Sequence, residues 1–151
     1  MASARSINAF LAHPALAVVG ASQTGRRFGN GARRVLTKQG YRVYPVHPSA
    51  TSIDGVRCHA RFADLPEPVD AVLVVVPPMQ AIAVMRDAAA AGIHHVWLQQ
   101  GAESPEASAV GHELGLDVVA GECVLMFARP TGIHYLHQFV RRVVDRCAAR
   151  Q

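Results

Sequence analysis

The chain has 151 residues, of which half are hydrophobic and 17% charged, with a formal net charge of +4. That is the size and balance of a single globular domain, 1–151, able to bury roughly two-thirds of its unfolded surface. The basic residues fall in scattered pairs (Arg26-Arg27, Arg33-Arg34, Arg141-Arg142), not in the dense stripe of a nucleic-acid binder. Apolar runs such as Ala71–Pro78 are too short to cross a bilayer, and Met1–Pro14 lacks the apolar core of a secretory leader. Three well-separated cysteines (Cys58, Cys123, Cys147) argue against a disulfide scaffold and for a reducing, cytoplasmic compartment.

Residues 3–12 carry Ile7, Phe10 and Leu11 at helical spacing, which predicts a short capping helix. Leu16–Val19 is wholly apolar, as in a strand buried on both faces of a parallel sheet. The run breaks at Gly20 into a polar, glycine-bearing, basic loop, Gly20-Ala21-Ser22-Gln23-Thr24-Gly25-Arg26-Arg27. A helix follows, with Phe28, Ala32, Val35 and Leu36 inward, Arg33, Arg34, Lys38 and Gln39 outward, and Gly40 as its stop. Tyr41–Val46 reads as the second strand, ended by Pro45-Val46-His47-Pro48, which is too stiff to continue a ladder. Residues 49–55 read as polar loop, 55–58 as a short edge strand, and 62–65 as one turn of helix.

Asp70–Val76 is the strongest strand signal. Pro77-Pro78 opens the next helix, with Ala81, Ile82, Met85, Ala88 and Ala89 on its inner face. His95–Leu98 is a strand holding a core Trp97. Ser104-Pro105-Glu106 starts a helix as N-cap, N1 and N2, with Ala107, Val110 and Leu114 inward. Asp117–Ala120 is the last strand. Residues 133–149 place Ile133, Leu136, Val140, Val143, Val144 and Cys147 on one stripe of a final helix, which covers the sheet or pairs with another subunit or protein.

Alternating unpatterned strands and amphipathic helices specify an α/β fold. It is Rossmann-type and doubly wound, with a mainly parallel sheet of five to six strands and helices on both faces. Ligands bind such sheets at the carboxyl ends of the strands. Strand, glycine loop and helix N-terminus together present backbone N–H groups to a phosphate. The loop is not G-x-G-x-x-G, and the second strand ends in Val46, His47 and Pro48. A conventional NAD site wants an acidic residue there, so a plain NAD dehydrogenase is disfavoured.

The ordered pieces Val19-Gly20-Ala21-Ser22, Gly40–Pro48, Ile53-Asp54-Gly55, Leu65–Asp70, Val76-Pro77-Pro78, Val96–Ala102 and Gly121-Glu122-Cys123 carry a resemblance. The chain resembles the stand-alone CoA-binding-domain proteins, a widespread bacterial family whose fold is similar to the N-terminal domain of the succinyl-CoA synthetase alpha subunit. The resemblance implies coenzyme A as ligand, with Gly20, Ala21, Ser22, Gly25 and Arg26 or Arg27 at the phosphates. It implies Pro45, His47 and Pro48 at the adenosine end, Val76, Pro77 and Pro78 along the cleft, and Gln100 and Gly101 toward the pantetheine arm. Two positions depart from the family pattern: His47 stands where Asn usually precedes the proline, and Ser49 where a phosphate-binding Lys often follows it. The synthetase's catalytic histidine lies in a second domain without counterpart in these residues, so the resemblance carries binding and not catalysis.

The alternatives are an NADP(H)-dependent oxidoreductase and an interaction module with a vestigial nucleotide loop. Among eight histidines, His94-His95, His112, His134 and His137 invite a metal, but no cysteine or acidic residue completes a ligand spacing, and no metal site is expected. Cys123, on the ligand side of the last strand, reads as a small packing residue in preference to a reactive thiol.

Overall fold

A computed structural model of the chain describes residues 2–25 and 27–128. The helix expected over 133–149, and the residues His134, His137 and Cys147 within it, lie outside the described residues, as does Arg26. Five strands form one parallel sheet: β1 (Ala15–Val19), β2 (Arg42–Val46), β5 (Ala71–Val74), β6 (His95–Leu98) and β7 (Asp117–Val119), in the order β2-β1-β5-β6-β7. Ser52–Ile53 (β3) and Val56–Arg57 (β4) pair separately as a small antiparallel hairpin. The helices are α1 (Ala4–Leu11), α2 (Phe28–Lys38), α3 (Pro78–Ala90) and α4 (Pro105–Glu113).

The central strands are buried on both faces because both are covered. Leu16 and Val18 of β1, Leu73 of β5 and Trp97 of β6 pack with Ile7 and Phe10 of α1 and Ala32 and Leu36 of α2. On the other face Ala17, Val72, Val74, Val96 and Leu98 pack with Ala81, Met85 and Ala88 of α3 and Ala107 of α4. Trp97 is fully buried, meets the Phe10 ring edge-on at 5.2 Å between centroids, and donates its indole N–H to the Glu122 carbonyl at 3.0 Å. Ser104 caps α4, its hydroxyl accepting from the Ala107 N–H at 3.0 Å.

Several expectations are corrected. Pro45 lies inside β2, opposite Val18, and does not end it. Its carbonyl points to the sheet's outer edge, where it accepts from the His59 N–H at 3.0 Å, so the N–H that proline lacks would also have pointed away from β1. The loop expected over 49–55 contains the first strand of the β3–β4 hairpin. Its turn is Asp54-Gly55, both with positive φ (50° and 73°), the geometry of a tight hairpin turn. Arg33, expected outward, is buried, whereas Phe28 and Leu114, both expected inward, are exposed, with Gly111 of α4 facing the sheet instead. A Cβ at Gly111 would lie 2.6 Å from Val118 Cγ2.

Candidate functional site

The chain enters the sheet at β1, steps outward to β2, then returns to place β5 on the other side of β1. That reversal opens a crevice at the carboxyl ends of β1 and β5, where open α/β sheets take their ligands. Gly20 leaves β1 with φ +110°, and a Cβ there would sit 2.3 Å from the Val75 carbonyl oxygen. Only glycine fits between the two strands. Gly29, in the first turn of α2, has the same closeness to the loop: its Cβ would meet the Ala21 nitrogen and Gly20 oxygen at 2.8 Å. The helix N-terminus is thus pressed directly onto the glycine loop.

Among the described residues no side chain caps α2, and its first turn carries no acidic residue. Its positive end therefore faces the loop. The loop is held internally. Gly25 N–H donates to the Ser22 carbonyl at 3.1 Å, and the Ser22 hydroxyl accepts from the Thr24 N–H at 3.2 Å and meets the Thr24 hydroxyl at 2.8 Å. Asn30, with no exposed surface, accepts from the Ser22 N–H at 2.9 Å and donates to the Ser22 carbonyl at 2.8 Å.

The second donor bond of Asn30 runs 3.3 Å to Asp54 Oδ2, which also accepts from Arg33 at 3.3 Å and Arg34 at 2.8 Å. The Asn30 hydrogen bond and the two guanidinium groups hold the Asp54 carboxyl below its ordinary value, against the opposing effect of burial. This is why Arg33 turns inward: its partner arrives on the hairpin turn, two strands later. Ala21, Ala50, Ile53 and Cys58 form a small apolar cluster that seats the hairpin under the loop. Burial pushes the Cys58 thiol up, Arg33 opposing, which keeps it protonated.

A cleft of about 600 Å³ opens over this loop. Its wall includes Gly20, Ala21, Ser22, Arg27, His47, Pro48 and Val76, which the structure brings together from three strand ends. Gln80, Ala83, Val84 and Asp87 of α3 complete the wall, and no motif marked them in the sequence. Gly25 lies behind the loop against Asp54, and Pro45 is buried within β2. Pro77 and Pro78 are the N-cap and first residue of α3, off the cleft wall. Gln100 and Gly101 are exposed after β6, outside the wall, with the Gly101 N–H donated to Glu103 at 2.6 Å. Cys123 is half-buried and also off the wall.

His47 has a definite task. Its Nδ1 accepts the N–H groups of Ser49 (3.2 Å) and Ala50 (3.0 Å), folding the chain after β2 back on itself. An Asn side chain makes this kind of bond to backbone two residues on, so the imidazole does an asparagine's work at this corner.

The CoA binding domain family matches residues 15–129. The chain belongs to that family. It is similar to a conserved hypothetical protein from Pyrococcus furiosus (35% identity, TM-score 0.67, covering 72% of this chain and 94% of that one). It is also similar to a hypothetical protein from Pyrococcus horikoshii (31% identity, TM-score 0.73, covering 81% and 87%). Among curated proteins it is similar to an ADP-forming acetate–CoA ligase II of Archaeoglobus fulgidus, 34% identical over 80 residues. Those residues are 52% of this chain and only 12% of the ligase, so the chain corresponds to a small part of that enzyme. No helix among the described residues is long and apolar enough to cross a membrane.

Proposed function

We propose that this chain binds coenzyme A, free or acylated, in the cleft at the β1/β5 switch point, and supplies no catalytic group to it. The observation that carries the reading is the N-terminus of α2, packed on a glycine loop that Asn30 holds in shape, at the floor of a cleft of about 600 Å³. The pyrophosphate sits on the Gly20–Gly25 loop, with Arg27 the described cation beside it. The adenosine end lies by His47 and Pro48, and the pantetheine arm runs along Val76, Ala83 and Val84. Family membership and the CoA named in the ligase relative support the same ligand. The cleft wall holds one carboxylate, Asp87, and one imidazole, His47, whose Nδ1 is engaged by backbone. Among the described residues no nucleophile–base pair lines it, which supports a carrier or sensor role for the domain.

The test is calorimetric titration of CoA, dephospho-CoA, NAD⁺ and NADP⁺ into ligand-stripped protein. A micromolar or tighter CoA site, with no turnover, is the expected result. Equal affinity for CoA and dephospho-CoA would show that the 3′-phosphate has lost its partner at Ser49. Heat from NADP⁺ and none from CoA would overturn the reading in favour of an oxidoreductase.

A further inference from the structure

The opposite end of the sheet carries a second cluster of chemistry-bearing residues. His13 lies in the link between α1 and β1, Asp70 immediately before β5, and His95 at the first position of β6. One ligand atom from each lies within 4.8 Å of the others, and all three residues are half-buried. We infer that His13, Asp70 and His95 form a binding site for a divalent transition-metal ion of the zinc class.

The orientation of each group supports this. The Asp70 carboxylate is held on one side only: its Oδ1 accepts the His94 N–H at 2.8 Å and meets His94 Nδ1 at 2.9 Å. That leaves Oδ2 facing His95 Nε2 at 3.9 Å. This is too long for a hydrogen bond, but two ligands each about 2.1 Å from a tetrahedral ion sit roughly 3.4 Å apart, a small contraction away. On the far side of the same ring, His95 Nδ1 lies 3.3 Å from Asp117 Oδ2. His95 Nδ1 is buried and makes no hydrogen bond in this geometry; a small rotation of the ring would bring it onto the Asp117 carboxylate, the kind of outer partner that orients a ligating imidazole. The His13 ring stands beside that of His95, 4.8 Å between centroids.

Two imidazoles and one carboxylate suit zinc, cobalt or nickel better than magnesium or calcium, which prefer oxygen. Three protein ligands leave a fourth position open, and a cleft of about 580 Å³ lined by His13, Asp70, Arg42 and Glu67 adjoins it. The ion would tie the α1–β1 link to the starts of β5 and β6. The four-residue strands β5 and β6, at ~3.3 Å per residue, put roughly 13 Å between this site and the CoA cleft, so the two sites succeed or fail separately.

The test is titration of the untagged, metal-stripped chain with Zn²⁺ by calorimetry and with Co²⁺ by visible absorption. One site of micromolar or tighter affinity is expected, with the strong d–d bands of four-coordinate cobalt. His95→Gln and His13→Gln should each weaken binding at least tenfold, and Asp117→Asn by roughly tenfold through loss of the orienting carboxylate. His134→Gln/His137→Gln should leave it unchanged, and all variants should keep their CoA affinity. Should the ligand variants not fold, anomalous scattering at the zinc edge from crystals of the wild-type chain locates the ion directly. Affinity no tighter than millimolar, binding that survives both ligand variants, or an ion located elsewhere would overturn the assignment.

Discussion

Replacing Asn30 by alanine removes the clamp on the glycine loop. The side chain is fully buried and makes two neutral hydrogen bonds to Ser22, at 2.9 and 2.8 Å. Each contributes about 1 kcal/mol net. The void left by the amide adds up to about 1 kcal/mol, and the bond to the exposed Asp54 adds little. The expected loss is about 2–3 kcal/mol, a fall in Tm of roughly 4–12 °C for a domain of this size. Because the Ser22 N–H and carbonyl lose their fixed direction, CoA affinity falls as well, by about tenfold if 1.4 kcal/mol of loop ordering must be supplied on binding. Asn30→Asp separates the two effects. It keeps the side chain's shape and can still accept from the Ser22 N–H, but sets a carboxylate against the Ser22 carbonyl and Asp54. Its affinity for CoA therefore falls further than its packing loss alone would predict. Urea unfolding and calorimetric titration read both quantities. An Asn30→Ala protein within about 0.5 kcal/mol of wild type and with unchanged CoA affinity would refute the clamp.

Gly20→Ala places a Cβ 2.3 Å from the Val75 carbonyl oxygen at φ +110°, and should destabilise by about 4 kcal/mol or more; denaturant midpoints check it. Gly31→Ala, inside α2 with nothing within 4 Å of the added Cβ, should stabilise by about 0.5–1 kcal/mol, a shift of opposite sign in the same assay. Glu67 is held by a two-pronged bond from Arg42 (2.6 and 3.0 Å) and by the Tyr44 hydroxyl, which lower its carboxyl from 4.5 to about 2. A depressed folded pKa stabilises above the unfolded value and is lost on acidification. Wild type should therefore lose Tm more steeply than Glu67→Gln as pH falls from 4.5 to about 2, and parallel curves across that window would count against the linkage.

The scaffold was legible because its signals are local. Val72–Val74 and Val96–Leu98 are continuous apolar runs, as two-sided burial demands, and Ser104-Pro105 announces α4 through a capping bond three residues long. The loop's contribution to the cleft was legible for the same reason. What escaped the reading depends on residues distant in sequence. Arg33 occupies an outward position by helical spacing and turns in only because Asp54 arrives on a later hairpin. Asp54-Gly55 was itself a hairpin signal of recognised type, hidden by the shortness of strands of two residues each. Asn30 looks like an ordinary helix residue until the loop folds over it. The α3 wall of the cleft was invisible because Gln80, Ala83 and Val84 differ in no pattern from the rest of an amphipathic helix.

The polarity of a parallel sheet explains why the two clusters of chemistry are so unlike. At the carboxyl ends, β1 passes through its loop into the positive N-terminus of α2, so backbone alone makes that end attractive to anions. The amino ends receive chain from helix C-termini, where the dipole is negative and where protonated or metal-bound groups are stabilised. Asp70 and His94, immediately before β5 and β6, and His95 and Asp117, at the first positions of β6 and β7, all stand at that end. The same arrangement of strands and helices would thus draw the proposed phosphate ligand and the proposed cation to opposite rims. Neither rim needs a dense run of like-charged side chains to do it, which is why the scattered charges of this sequence are compatible with both.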